Sequence, residues 1–74
     1  MEKKVQVSGE FIQLNQLLKL ENVVQSGGEA KALIESGKVL VNGVKADAVR
    51  KKLRQGDIVK VGRHEWVIEL TDVR

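Results

Sequence analysis

Cysteine is absent from the 74-residue chain. Its absence excludes disulfide frameworks, thiolate zinc sites and cysteine nucleophiles together. His64 is the only histidine, which also excludes a histidine-rich metal cage. No metal or cofactor is expected. Aromatics are nearly missing: Phe11 and Trp66 are the only two. A recognition surface built mainly on stacked rings is therefore excluded. Apolar runs are only a few residues long, too short to span a membrane. The Met1-Glu2-Lys3-Lys4 start has no apolar stretch of the secretory kind. Glu2 stands where myristoylation needs glycine, and prenylation has no cysteine to use. These readings place the chain in the cytoplasm. The length allows one domain, residues 1–74, with a small core and a stability of about 4–11 kcal/mol.

Charge is present but unevenly spread. The formal net charge is +3. Residues 1–43 balance five cations against five carboxylates. Residues 44–63 carry seven cations (Lys45, Arg50, Lys51, Lys52, Arg54, Lys60, Arg63) against only Asp47 and Asp57. The last eleven residues are net acidic, with Arg74 against Glu65, Glu69 and Asp72. A concentrated basic stretch suits a polyanionic partner better than an even scatter of the same charge.

The chain opens on an alternating segment, Lys3 to Ser8, which reads as a strand. Within Phe11–Leu20, Leu14, Leu17 and Leu18 fall on one helical face, giving a helix of about two turns. A helix that short is stable only when packed. Ser26-Gly27-Gly28-Glu29 has the spacing of a capping box. The helix it opens runs to about Ser36, with Ala30, Leu33 and Ile34 inward and Lys31 and Glu35 paired outside. Gly37 can end it. Val39–Ala46, with Asn42-Gly43 at its centre, reads as a tight hairpin. Asp47–Gln55 reads as a basic loop, Gly56-Asp57 as a turn and Ile58–Val61 as a strand. Gly62–Glu65 reads as a turn and Trp66–Leu70 as the last strand. Helices segregated from antiparallel hairpins define the α+β class: two short helices on a small antiparallel sheet with N- and C-terminal strands.

Catalytic chemistry finds no foothold. The carboxylates are scattered among lysines or placed in turns, without the shared cleft of an acid–base pair. Ser26 has no base in its own segment and is occupied as a helix cap. His64 sits in a turn. Catalytic residues: none. Two features can serve binding. Gly27 and Gly28 at a helix start can present backbone N–H groups to a phosphate, although the nucleotide P-loop spacing is absent. The arm Arg50-Lys51-Lys52-Leu53-Arg54 reads either as a solvated loop or as a phosphate-binding strip, with Leu53 pinning it to the core. An anionic membrane would also attract these charges, but no anchor or amphipathic helix accompanies them.

The run from Leu14 to Val61 resembles the ribosomal protein S4 RNA-binding domain, or alpha-L motif. The matching pieces are Leu14-x-x-Leu17-Leu18, Ser26-x-x-Glu29-Ala30-Lys31-x-x-Ile34, Gly37-x-Val39-x-Val41-Asn42-Gly43 and Gly56-Asp57-x-Val59. The Gly27-Gly28 variant and the short length look most like the small stand-alone YaaA-like bacterial members. The resemblance implies a core motif over about residues 12–62 and binding to structured RNA, ribosomal or transfer, through the second helix and the following hairpin. It implies contacts by Lys31, Lys38 and Lys45. Gly27 and Gly28 stand where the family commonly has arginine and serine, and Gln13 and Asn15 where it has arginine and aspartate. Those departures shift weight onto Arg50, Lys51, Lys52 and Arg54. The expected protein is a monomeric, non-catalytic RNA binder with no small-molecule substrate, acting in ribosome assembly or translation. DNA binding through the same patch and a protein adaptor role are the alternatives.

Overall fold

A computed structural model of the chain describes residues 2–71. Strand β1 (Glu2–Ser8) and a two-residue strand β2 (Ile12–Gln13) precede helix α1 (Leu14–Leu20) and helix α2 (Gly27–Glu35). Then come β3 (Val39–Val41), β4 (Val44–Lys45), β5 (Lys52–Leu53), β6 (Ile58–Val61) and β7 (His64–Thr71). Five strands form one sheet in the order β1-β7-β6-β3-β4, while β2 and β5 form a separate two-stranded ribbon. The class is α+β, as the sequence implies.

Local signals account for most of the elements. Ser26 Oγ accepts the Glu29 N–H at 3.2 Å, capping α2. The Glu29 carboxylate accepts from the N–H of Gln25 at 3.1 Å, one residue before the position a standard capping box uses. Gly37, at φ +79°, ends the helix as expected. Asn42 and Gly43 both have positive φ, +52° and +83°, as a type I′ turn requires. The outer face of α2 departs from expectation: among the described residues no ion pair joins Lys31 to Glu35.

Further departures come from strand pairing. The reading of Asp47–Gln55 as loop misses β5, where Leu53 pairs with Ile12 and Lys52 with Gln13. The same pairing holds Phe11–Gln13 out of the helix, which begins at Leu14. The Gly62–Glu65 turn is shorter than expected: Val61 already faces His64, so only Gly62 and Arg63 turn the chain. The sheet is antiparallel except at one seam, where β1 runs parallel to β7.

Strand alternation supplies the core. Val5, Val39, Val41, Val59, Trp66 and Ile68 lie on one face of the sheet and are buried. Against them pack Leu14, Leu17 and Leu18 of α1, Ala30 and Ile34 of α2, and Ile12 and Leu53 of the ribbon, all in one cluster. Leu14, Leu17 and Leu18 are completely enclosed, while Leu20 at the end of the helix is exposed. Burial of each contributes about 1.5–3 kcal/mol, which is what holds a seven-residue helix in place. Trp66 is a core residue, and exposed His64 stacks on it with ring centroids 5.7 Å apart.

Candidate nucleic-acid interface

The basic arm is the end cap of helix α1. The backbone carbonyl of Lys51 accepts the Leu14 N–H at 2.8 Å, and that of Val49 accepts the Asn15 N–H at 3.0 Å. These are two of the donors that every helix leaves unsatisfied at its start. Arg50 sits between the two carbonyls and is exposed. Leu53 is fully buried. Backbone ties on one side and an apolar anchor on the other thus fix a segment whose own charges repel one another. The anchoring role read for Leu53 from the sequence agrees with this packing.

The carboxylates nearest in sequence do not neutralise the arm. Asp57 is half-buried and committed to the turn: it accepts from the Arg54 backbone N–H at 2.8 Å and from Asn42 Nδ2 at 3.0 Å. Asn42 Oδ1 in turn accepts the Ile58 N–H at 2.9 Å, locking the hairpin to the Gly56-Asp57 turn. The ion pairs Lys3–Glu21 at 3.0 Å and Lys4–Glu69 at 3.8 Å use other lysines. Lys31, Lys38, Lys45, Arg50, Lys51, Lys52 and Arg54 are all exposed, and among the described residues none joins a carboxylate within ion-pair distance.

The fold brings some of these groups together. Lys45 and Lys51 line one open cleft between the hairpin and the arm, with Asp47 at its wall. Lys45 also borders the cleft at the end of α2, and its side chain runs 3.7 Å from where a Gly37 Cβ would stand, next to Lys38. Lys52 and Arg54 converge on Phe11, with Lys52 Nζ 4.9 Å and the Arg54 guanidinium carbon 6.0 Å from the ring centroid. Gly27, Gly28 and Lys31 lie in the first turns of α2, and among the described residues no hydrogen bond or ion pair joins them to the arm. Both glycines are exposed, and neither is demanded by the fold. A Cβ on Gly27 would meet nothing within 4 Å, and one on Gly28 only Ser26 Oγ at 3.9 Å.

Phe11 is the member of this surface that sequence reasoning passes over. Its neighbours Lys52 and Arg54 lie some forty positions away, so only the ribbon pairing reveals it. Among the described residues no group of histidine and carboxylate side chains could hold a metal ion, and no helix is long and apolar enough to cross a membrane.

Comparison with known proteins agrees with this architecture. The S4 domain family matches residues 5–69. The "Probable ribosome maturation protein RlbA" of Bacillus subtilis (strain 168) is 39% identical over 61 residues, 82% of this chain and 86% of that protein. No solved structure matches the chain. The family match takes in both helices, the Asn42-Gly43 hairpin, the arm and most of the closing strand, and on that extent the chain belongs to the S4 domain family.

Proposed function

We propose that this protein is a non-catalytic RNA-binding protein that holds structured RNA, ribosomal or transfer, through Gly27, Gly28, Lys31, Lys38, Lys45, Arg50, Lys51, Lys52 and Arg54. The observation that carries this reading is the set of seven exposed cations that find no carboxylate partner among the described residues. A polyanion would relieve the self-repulsion that the fold leaves in place. The cations suit phosphates either as ammonium point charges or as guanidinium forks. The A-form helix is read through its backbone, shape and 2′-hydroxyls, which a surface poor in aromatics can do. Family membership and likeness to a protein named for ribosome maturation support a role in ribosome assembly or translation. In this reading residues 1–74 act as one cytoplasmic, monomeric recognition unit.

The test is the salt dependence of binding to a purified ribosomal RNA fragment recovered by crosslinking in cells. If about four cations meet phosphates, log affinity falls with log salt at a slope of about −3 to −4. Replacing Arg50, Lys51 and Lys52 with alanine should flatten that slope and leave the fold intact. A slope near zero overturns the reading. Equal affinity for DNA of matched sequence transfers the surface to DNA, and a pull-down that survives nuclease transfers it to a protein partner.

A further inference from the structure

Phe11 stands outside the apolar cluster. It is neither one of the buried members nor one of the half-buried residues packed on them. It lies half-exposed just before β2. In the ribbon, Ile12 faces Leu53 and Gln13 faces Lys52. Side chains alternate across a strand, so Ile12 and Leu53 point into the core and Phe11, Gln13, Lys52 and Arg54 share the outer side. Burial follows that division: Ile12 and Leu53 are enclosed, Lys52 and Arg54 exposed. The outer side therefore combines one aromatic ring with two exposed cations lying over it, 4.9 and 6.0 Å from the centroid, long side chains that swing toward a phosphate when a base takes their place on the ring.

We propose that this ribbon face binds a single unpaired nucleotide of the RNA, with its base stacked on Phe11 and its phosphate held by Lys52 and Arg54. The proposal rests on the RNA-binding reading above and narrows it. A ring beside cations is the combination that single-stranded nucleic acid recognition uses: the ring takes the base and the cations take the backbone. A base inside an A-form stem has its faces covered by its neighbours, so the ring can accept only one that has left the stack. The adjoining arm is tied to α1 through the Lys51 carbonyl, and Leu53 is buried beneath the ribbon, so the face is held before RNA arrives. Paired RNA would contact the cations of the arm and hairpin, and the extruded nucleotide would occupy the ribbon. The target would then be a stem interrupted by a bulge, a loop or an overhang.

Two labelled RNA hairpins closed by the same compact tetraloop whose bases stay stacked, one with a fully paired stem and one carrying a single-nucleotide bulge in it, test this by fluorescence anisotropy. The wild-type chain should prefer the bulged hairpin by about tenfold, the scale of one base–aromatic stack. Phe11→Leu should lose the preference and keep the affinity for the paired stem, while Phe11→Tyr, which retains the ring, should keep both. Circular dichroism melts should be unchanged in Phe11→Leu. Short-wavelength ultraviolet crosslinking of the wild-type chain to the bulged hairpin should place a crosslink on the Phe11 peptide, whatever the stability of the variants. Equal binding of both hairpins by the wild type, or crosslinks that avoid Phe11, overturns the ribbon site alone. Wild-type binding to neither hairpin overturns the RNA reading and the ribbon site with it.

Discussion

Replacing Gly27 and Gly28 with alanine should make the protein more stable and a poorer RNA binder. Both residues lie in the first turn of α2, and neither has a positive φ. An added Cβ at Gly27 meets open space, and at Gly28 it makes only ordinary contact with Ser26 Oγ at 3.9 Å. Nothing in the folded chain therefore opposes the methyl groups. Alanine narrows the unfolded ensemble and, where the native conformation accepts it, stabilises by about 0.4–1 kcal/mol per site. The double variant should gain about 1–2 kcal/mol. In a domain of this size each kcal/mol moves Tm by roughly 4–8 °C, so a rise of about 4–16 °C is expected in a circular dichroism melt. Binding should move the other way. If phosphate approaches the bare backbone N–H groups, a methyl at the approach weakens a charge-assisted hydrogen bond worth about 1.5–3 kcal/mol, roughly a tenfold to hundredfold loss of affinity. A fall in Tm refutes the packing side of this reasoning. A rise in Tm with unchanged RNA affinity refutes the claim that the glycines serve close approach.

The other predictions concern the elements that hold the interface. Leu53→Ala empties a fully enclosed site and should cost about 2–5 kcal/mol in urea unfolding; a cost below about 1 kcal/mol means the arm is not anchored there. Ser26→Ala removes the acceptor for the Glu29 N–H and should cost about 1 kcal/mol, while Ser26→Asp should restore most of it. At Asn42, Gly should be tolerated better than Ala, because both lose the side-chain bonds to Asp57 and Ile58 but only Ala adds about 1–2 kcal/mol of left-handed strain. Equal melting temperatures for the two variants would count against a strained turn. The arm variant Arg50→Ala, Lys51→Ala, Lys52→Ala should keep its Tm within a few degrees, since all three side chains are exposed and the arm is tied down by carbonyls.

Sequence reading succeeded where the cause was local. The Ser26 cap, the buried face of α1 and the Asn42-Gly43 turn each depend on residues within four positions of one another. It failed where the partner was distant. Nothing in Lys52-Leu53 announces that Ile12-Gln13 is its partner, and so the sequence reads as helix at one end of the ribbon and loop at the other. The parallel direction of β1 is likewise invisible in its alternation, which is the same for either orientation. The candidate interface divides in the same way. Counting charges found the basic stretch. What makes it a surface of fixed shape, with the Lys51 and Val49 carbonyls on α1, Asp57 withdrawn into its turn and two cations gathered at Phe11, depends on contacts between segments far apart in the chain.

The seam between β1 and β7 also sets a timetable. Each rung joins residues 63 positions apart, from Glu2 with Glu65 to Ser8 with Thr71. At about 5–20 residues per second, β1 is made roughly 3–13 s before its partner. During that interval it is an extended, unpaired segment, the kind that adds to other strands. Lys3 and Lys4 lie within it, and in the finished fold they reach Glu21 and Glu69. Glu21 follows Lys3 by 18 residues, but Glu69, the partner of Lys4, is made only with β7. Two lysines against the single carboxylate of Glu2 leave the seven-residue strand net positive, which discourages association with neighbouring nascent chains. The lysines at the start of the chain thus guard the strand during synthesis and are partly neutralised once β7 arrives.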